Sequence, residues 1–483
     1  MGAPSFADVR EKVGAGLRRR FGVDTRSLAA FRICLGVAVL VNLVARTRDL
    51  TAFYTRNGAV PLAAVQEHTT LSAFSVYAVS DSWLYVVFLF VLTAVFAVAL
   101  IVGYRTRFVS VVVLVLVFSL NARNPLVMNG GDTLLTRLVF WGALLPLGAR
   151  WSVDAVGRGE KGDGAYGRVA SVATVGVLVQ VVVVYATNAV FKLRSDAWMS
   201  GDAVLQVFEL SAYTTWLGSS LTRFAELLVL LNHLWVALLV ASPLLILLTG
   251  RRRAFVLTLF VGAQAGLLVT MNLAVFPLVA VAGLAVLTPS VVWEVARRRL
   301  PSVHGTGATL LRRTDGVLPD VRRTGLPLQS GWGRRAVSAF AAVCLVVVLM
   351  TNASAMGYVD TPDEAEAVEE YAGTKWSLFA PYPPTTDRWY VARGVTPSGE
   401  KFDPLHLAPF ERDRRPDSYP NARWRKYLDS VRSSGDVYLE RPLLRYLCGR
   451  TEGREDELEN VTLLYVSYDD GIQTERMARG SCE

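Results

Sequence analysis

The chain has 483 residues, 52% of them hydrophobic and 19% charged, with a mean hydropathy of +0.36. That balance argues against an ordinary soluble domain and for a polytopic membrane protein. The formal charge of +9 sits in short arginine runs between apolar segments, the pattern of cytoplasmic loops and not of a nucleic-acid-binding face.

Residues 1–26 read as an amphipathic basic lead-in suited to the inner membrane surface. Arg18, Arg19 and Arg20 precede the first apolar run without an A-x-A cleavage pattern, so the first helix is expected to stay as an anchor. Apolar runs predict membrane spans over about 27–45, 83–102, 108–120 and 134–147. Asn57-Gly58 and Pro61 mark a turn in the first loop, and GYRTR (103–107) is a tight basic turn. The stretch NARNPLVMNGGDTLL (121–135) is rich in Asn, Gly and Pro. Irregular backbone at membrane depth is tolerated where it lines a cavity. Gly130 and Gly131 permit close approach there, while Asn124, Asn129 and Asp132 offer hydrogen bonds. An ordinary hairpin between two helices would read the same way.

The segment 168–202 opens on Arg168 and continues as more than twenty mostly apolar residues, enough to cross a hydrocarbon core about 30 Å thick. Its last turns gather Gln180, Tyr185, Thr187, Asn188 and Lys192, followed by Arg194 and Asp196. Polar groups in a membrane helix are costly and usually face a cavity or another helix. Lys192 has two readings. One is a lysine at a helix end that snorkels its ammonium into the headgroups. The other is a lysine in a partly dry pocket, where loss of water favours the neutral amine and makes it a base.

Beyond Lys192, a long loop carries Trp198, Tyr213 and Trp216, expected to be interfacial aromatics. Further spans are predicted over 225–248, 254–271 and 273–296, then a basic linker over 301–335 and a last span over 336–352. His233 is the histidine that falls inside a span, and it reads first as a buried, hydrogen-bonded helix residue. Asn188, Asn232 and Asn272 are either helix–helix glue or ligands. Cys34 and Cys344 lie within apolar runs as small hydrophobes, and the four cysteines form no metal-binding pattern.

With the N-terminus inside, the arginine-rich turns all fall on the cytoplasmic side. About nine transmembrane helices over 27–300 and 336–352 then leave residues 353–483 extracytoplasmic. The expected fold is an all-α polytopic membrane bundle with a C-terminal extracytoplasmic domain that is α+β or β-rich. In that domain an acidic run over 360–376 suggests one helix, and 388–396, 399–405 and 461–469 alternate like strands. Cys448 and Cys482 are a disulfide candidate in an oxidising compartment. The sequons at Asn352 and Asn460 fall in the same part.

The strings FRICLGVAVLVNLVARTRDLTAFYTRNGAVP, GYRTR, NARNPLVMNGGDTLL, WSVD, VYATNAVFKL and MNLAVFPLV, in this order, resemble the HTTM superfamily. The membrane part of that superfamily is similar to vitamin K-dependent gamma-glutamyl carboxylase. KWSLFAPYPPTTDRWYVARGVTPSGEKFD and NARWRKYL resemble the outer domain of prokaryotic members, so the likeness covers roughly 27–300 and 370–470. It implies that Lys192 is the base that deprotonates reduced vitamin K or a menaquinone-like quinone. Oxygen and CO2 would be co-substrates, no metal would take part, and a glutamate γ-proton would be replaced by CO2. It also implies a quinone- or substrate-binding set of Asn129, Gly131, Asp132, Tyr185, Asn188, His233, Gln264 and Asn272. The chain departs from the carboxylase pattern at two places. Gly131 or Asp132 stands where the carboxylase has a histidine, and Ala263-Gln264 stands where it has Phe-His.

Two functions follow. The first is a lyase-type membrane enzyme that epoxidises a quinone and carboxylates glutamate through Lys192. The second is a non-enzymatic membrane factor for maturation or export of a secreted peptide, because the superfamily includes one protein needed to mature a secreted toxin. The partners expected are the lipid membrane and a secreted peptide or protein, with no nucleic acid.

Overall fold

A helix satisfies its own backbone groups, so long apolar runs without internal proline become helices wherever water is scarce. The computed structural model describes residues 6–156, 167–299, 331–360, 376–415, 418–451 and 457–482. Helix α1 (Phe6–Phe21) ends in Arg18, Arg19 and Arg20, and strand β1 (Val23–Asp24) pairs antiparallel with β2 (Arg168–Val169). Asp24 caps α2 (Thr25–Thr47) by accepting from the Arg26 N–H. Next come α3 (Trp83–Val102), α4 (Thr106–Arg123), α5 (Gly130–Ala143), α6 (Val172–Leu193), α7 (Ala225–Val240), α8 (Gly250–Thr270), α9 (Phe276–Ala285), α10 (Ser290–Arg299) and α11 (Gly331–Ala355). Six of these, α2, α3, α4, α6, α8 and α11, are long and apolar enough to cross a membrane. The chain is therefore a mostly helical protein with the make-up of a multi-pass membrane protein.

Three expected spans differ in form. The run 134–147 begins earlier, at Gly130, and is a 14-residue helix. The run 225–248 stops at Val240 and resumes as a short helix over Leu244–Leu247. The run 273–296 is two helices, α9 and α10, bent by 94°. Pro289 stands in the break, where it has no N–H to continue the ladder and its ring would clash with the preceding turn. Trp293 of α10 instead donates to Ser27 Oγ at 2.8 Å, which lays α10 across the end of α2.

Contacts sort the loops into two ends. At the basic end, Arg253 donates to the Arg20 carbonyl at 2.8 Å, and Asp154 accepts from the backbone N–H groups of Arg105 and Thr106 at 2.8 Å each. Trp151 packs on Trp293 with 5.3 Å between ring centroids. At the other end sits the C-terminal domain. Its antiparallel sheet has the order β5 (Ala408–Pro409), β4 (Lys401–Asp403), β3 (Asp387–Val395), β6 (Asn460–Tyr468), β7 (Ile472–Ser481). The strands expected over 388–396, 399–405 and 461–469 correspond to β3, β4 and β6. Period-two alternation puts Trp389 and Val391 on one face with Leu464 and Val466, while Tyr390 and Ala392 join the main core. Helices α12 (Ala422–Ser434) and α13 (Val437–Gly449) pack there, and a disulfide ties Cys448 at the end of α13 to Cys482 beyond β7. Most of the acidic run 360–376 and of the basic linker 301–335 lies outside the described residues.

The domain is seated by polar contacts. Asp49 accepts from Asn421 Nδ2 at 2.6 Å and Trp424 Nε1 at 2.8 Å, and Tyr427 donates to the Ala59 carbonyl at 2.8 Å. At the centre of this seat is Asp132, 1% exposed. Its carboxylate accepts from Asn42 Nδ2 at 2.6 Å, Arg46 Nη2 at 2.8 Å, and Arg423 Nη1 and Nη2 at 2.9 and 3.1 Å. It also accepts from the Asn129 N–H at 3.0 Å, closing a capping box at the start of α5. Arg46 is held further by Asn42, Tyr54 and Asn121.

A buried charge that loses its partner is strongly penalised. Asp132→Ala is expected to destabilise the protein by about 3–5 kcal/mol, read as a lower thermal midpoint in detergent. Combining it with Arg423→Met is expected to recover part of that loss. A single variant that melts with wild type would show that the cluster does not hold the two parts together.

Candidate functional site

Tyr185, Asn188 and Lys192 are spaced at i, i+3 and i+7, so they form one stripe along the last two turns of α6. All three are buried, and Lys192 is 2% exposed. Its ammonium lies 2.7 Å from the centroid of the Trp198 ring, on the short helix Asp196–Ser200 that follows α6. Among the described residues no carboxylate pairs with it. The snorkelling reading required an ammonium in the headgroups, and here it is under an aromatic ring.

A returning segment of the C-terminal part, residues 376–381, roofs the stripe. Asn188 Nδ2 donates to the carbonyls of Trp376, at 3.1 Å, and Ser377. Ser195 Oγ donates to the Pro381 carbonyl, and Trp198 Nε1 donates to the Phe379 carbonyl at 3.2 Å. Leu378 and Phe379 take φ of +40° and +68°, a region that non-glycine residues enter at a cost and hold only where the surroundings over-determine them. Trp376 is 1% exposed, with Arg137 of α5 lying 5.1 Å from its ring centroid.

The remaining walls come from α7 and α8. Gln264 Nε2 donates to the Tyr185 hydroxyl at 3.4 Å, and Phe260 packs on the Tyr185 ring at 4.7 Å. Asn232 of α7 donates to the Trp198 carbonyl at 2.8 Å. Two buried oxygens beside the stripe, Asn188 Oδ1 and Gln264 Oε1, accept no hydrogen bond. Asn232 Oδ1 and the Trp376 indole N–H beside them are likewise buried without a partner, although buried polar groups are ordinarily satisfied.

Of the residues singled out in the sequence, Lys192, Tyr185, Asn188 and Gln264 therefore come together, with Asn232 behind Trp198. Asn129, Gly131 and Asp132 belong to the ion cluster that seats the C-terminal domain. A Cβ on Gly131 would lie 2.8 Å from the Phe276 backbone nitrogen, so that glycine lets α5 and α9 meet. No hydrogen bond or ion pair among the described residues joins that cluster to Lys192. His233 is hydrogen-bonded, its ring nitrogens 2.8 and 3.0 Å from the Val229 and Met199 carbonyl oxygens, but it is exposed and not buried. The residue one position earlier, Asn232, takes the buried face of α7. Asn272 is exposed as well, with its backbone N–H donating to the Tyr213 carbonyl at 2.7 Å.

Trp198 is corrected from an interfacial aromatic to a buried one, 5% exposed. Its position six residues after Lys192 was the available signal, since one short helix brings the ring back over the amine. Residues 376–381 carried no local sign of their destination. No protein-family model, no curated protein and no solved structure matches the chain.

Burial makes a chemical prediction. Lys192 is expected to acylate far more slowly than exposed Lys401 when the folded protein meets an amine-reactive ester, and Trp198→Ala is expected to speed it selectively. Peptide mass spectrometry of a time course reads both rates. Equal rates for Lys192 and Lys401 in the wild type would contradict the enclosed site.

Proposed function

We propose that the chain is a membrane enzyme that binds a reduced quinone in the Tyr185–Asn188–Lys192 stripe and uses Lys192 as a general base, for quinone epoxidation coupled to glutamate carboxylation. The observation that carries this reading is the buried Lys192 amine, which has no carboxylate partner among the described residues and ends a stripe along which Asn188 Oδ1 and Gln264 Oε1 accept no hydrogen bond. A base must hold its proton only transiently, and a site without a counter-charge does not lock the charged form in place. An open oxygen of Asn188 or Gln264 suits one hydroxyl donor of a reduced quinone and leaves the other hydroxyl to the Lys192 amine. The resemblance of VYATNAVFKL to the carboxylase segment supports the same role for Lys192.

When bound, the quinone would supply the oxygen chemistry that generates a strong base towards the glutamate γ-proton. The chain's own tasks are narrower. Asn188 or Gln264 would orient the ring, Lys192 would accept a hydroxyl proton at Nζ, and residues 376–381 with Trp198 would keep water from the site. The enclosure matters because a stray water would quench a strong base before it reached carbon.

We further propose nine membrane crossings, with α5, α7 and α9 as the shorter ones, α10 lying along the basic surface, and the C-terminal domain outside. The clustering of α1, β2, Arg105 and Arg253 at the end opposite the domain supports this orientation under the positive-inside rule. The Cys448–Cys482 disulfide supports an oxidising compartment for the domain.

The test is turnover of purified protein with a reduced naphthoquinone, oxygen, a glutamate-containing peptide and labelled bicarbonate. Lys192→Ala is expected to lower epoxide formation and label fixation by about 10²–10⁴-fold, the usual contribution of a general base. Neither product from folded wild type would sink the enzymatic reading and leave a peptide-maturation factor.

A further inference from the structure

A second feature of the membrane part lies away from the lysine stripe. Helix α11 packs on α6, where Thr187 donates to Asn352 Oδ1 at 3.3 Å, but it stands off from α4 and α5 and leaves a cleft of about 630 Å³. The walls are Leu114, Phe118, Phe140, Trp141, Val347 and Val348. Towards the basic end the cleft is shut by Phe140 against Phe340, whose ring centroids are 6.1 Å apart. Towards the domain end it runs up to Phe74 and Thr351.

The floor carries a polar waist. Gly176 of α6 packs flat on the Trp141 ring, with no room for a Cβ. Because α5 and α6 run in opposite directions, one turn back along α5 from Trp141 and one turn on along α6 from Gly176 bring Arg137 and Gln180 to the same level. Both line the cleft, and Thr136 lies beside them. Gln180 is fully buried, yet neither its Nε2 nor its Oε1 has a hydrogen-bond partner. An amide with both ends open inside an apolar helix bundle is expensive, and it is the sign of a missing ligand.

We infer that this cleft binds an acyl lipid, with the chain between Phe118, Phe140 and Val347 and a carboxyl or ester oxygen hydrogen-bonded to Gln180 beside Arg137. The neighbours argue for lipid. The cleft opens along membrane-length helices whose rims, Val115, Phe118 and Val347, are exposed, so acyl chains are the molecules that meet it. The walls are mainly apolar, with Thr136, Arg137 and Gln180 at one level and Ser119 and Thr351 as the other polar side chains, which is the make-up of a site for a chain ending in an oxygen-bearing group. This inference is independent of Lys192, which sits on a different face of α6 and nearer its end.

The experiment is photolabelling in phosphatidylcholine vesicles with two probes, a diazirine-bearing palmitic acid and a diazirine-bearing phosphatidylglycerol. Labelled peptides are mapped by mass spectrometry. Saturable labelling of α4, α5 and α11 by either probe supports the proposal, and the probe that saturates identifies a free acid or a glycerolipid as the source. Gln180→Leu is expected to weaken it about fivefold, as for one lost hydrogen bond. This substitution removes an unpaired amide, so folding should not suffer. Val347→Trp, which fills the cleft from its rim, is expected to abolish it, while labelling near Val91 and Val95 of α3 stays constant. Lys192→Ala is expected to leave all labelling unchanged, so failure of the enzymatic reading would not touch this result. Labelling of the cleft that does not saturate, that persists in both variants, or that is displaced by a naphthoquinone and not by unlabelled palmitate would overturn it.

Discussion

The structure depends on one carboxylate. Asp132 stands at the start of α5 and draws in an asparagine and an arginine from α2 and an arginine from α12, some three hundred residues away in the chain. A buried ion is tolerable only when its partners are close and its lone pairs are filled, and Asp132 meets both conditions. The same condition makes the contact demanding: Arg46 and Arg423 are buried too, so neither can leave without stranding a charge. The C-terminal domain is thereby seated in one register on the membrane part. Contacts at Asp49, Ala59 and Ala212 can then form at the rim.

That seating is what completes the lysine site. Helix α6 alone would present Tyr185, Asn188 and Lys192 as a polar stripe facing open space. Residues 376–381 close it, and they can do so because the domain that follows them is fixed nearby. The strained backbone at Leu378 and Phe379 is consistent with a segment whose position is dictated from both sides. Asp132 and Lys192 thus act at different levels. The first fixes how the two parts meet, and the second lies buried under the segment that this meeting positions. The resemblance names residues of both, whereas the structure separates the ion cluster around Asp132 from the buried stripe that ends in Lys192.

Much of the architecture was readable from local signals. Each predicted apolar run holds at least one helix, and Trp83–Val102 has the expected limits, because Ser82 caps its start and Gly103 ends it within the local sequence. Limits were lost where a distant contact competes. The start of α5 moves back to Gly130 because Asn129 and Asp132 form a capping box that also serves the ion cluster. The 94° bend between α9 and α10 combines a local cause, Pro289, with a distant one, the docking of Trp293 on Ser27. His233 and Asn232 are adjacent, and helical geometry allows only one of them to face inward; periodicity alone did not say which.

By itself, the sequence determined the membrane character, the helical runs, three of the five strands of the C-terminal sheet and the polar stripe of α6. These follow from hydrophobicity and from residue spacing within a few turns, which are local properties. Only the tertiary structure decided that Trp198 covers Lys192, that residues 376–381 return to roof it, and that Asp132 pairs with Arg423. Those pairings join groups distant in the chain or turned onto a common face. They are selected by the need to bury charge with its partner and to satisfy polar groups away from water, and no short stretch of sequence records that selection.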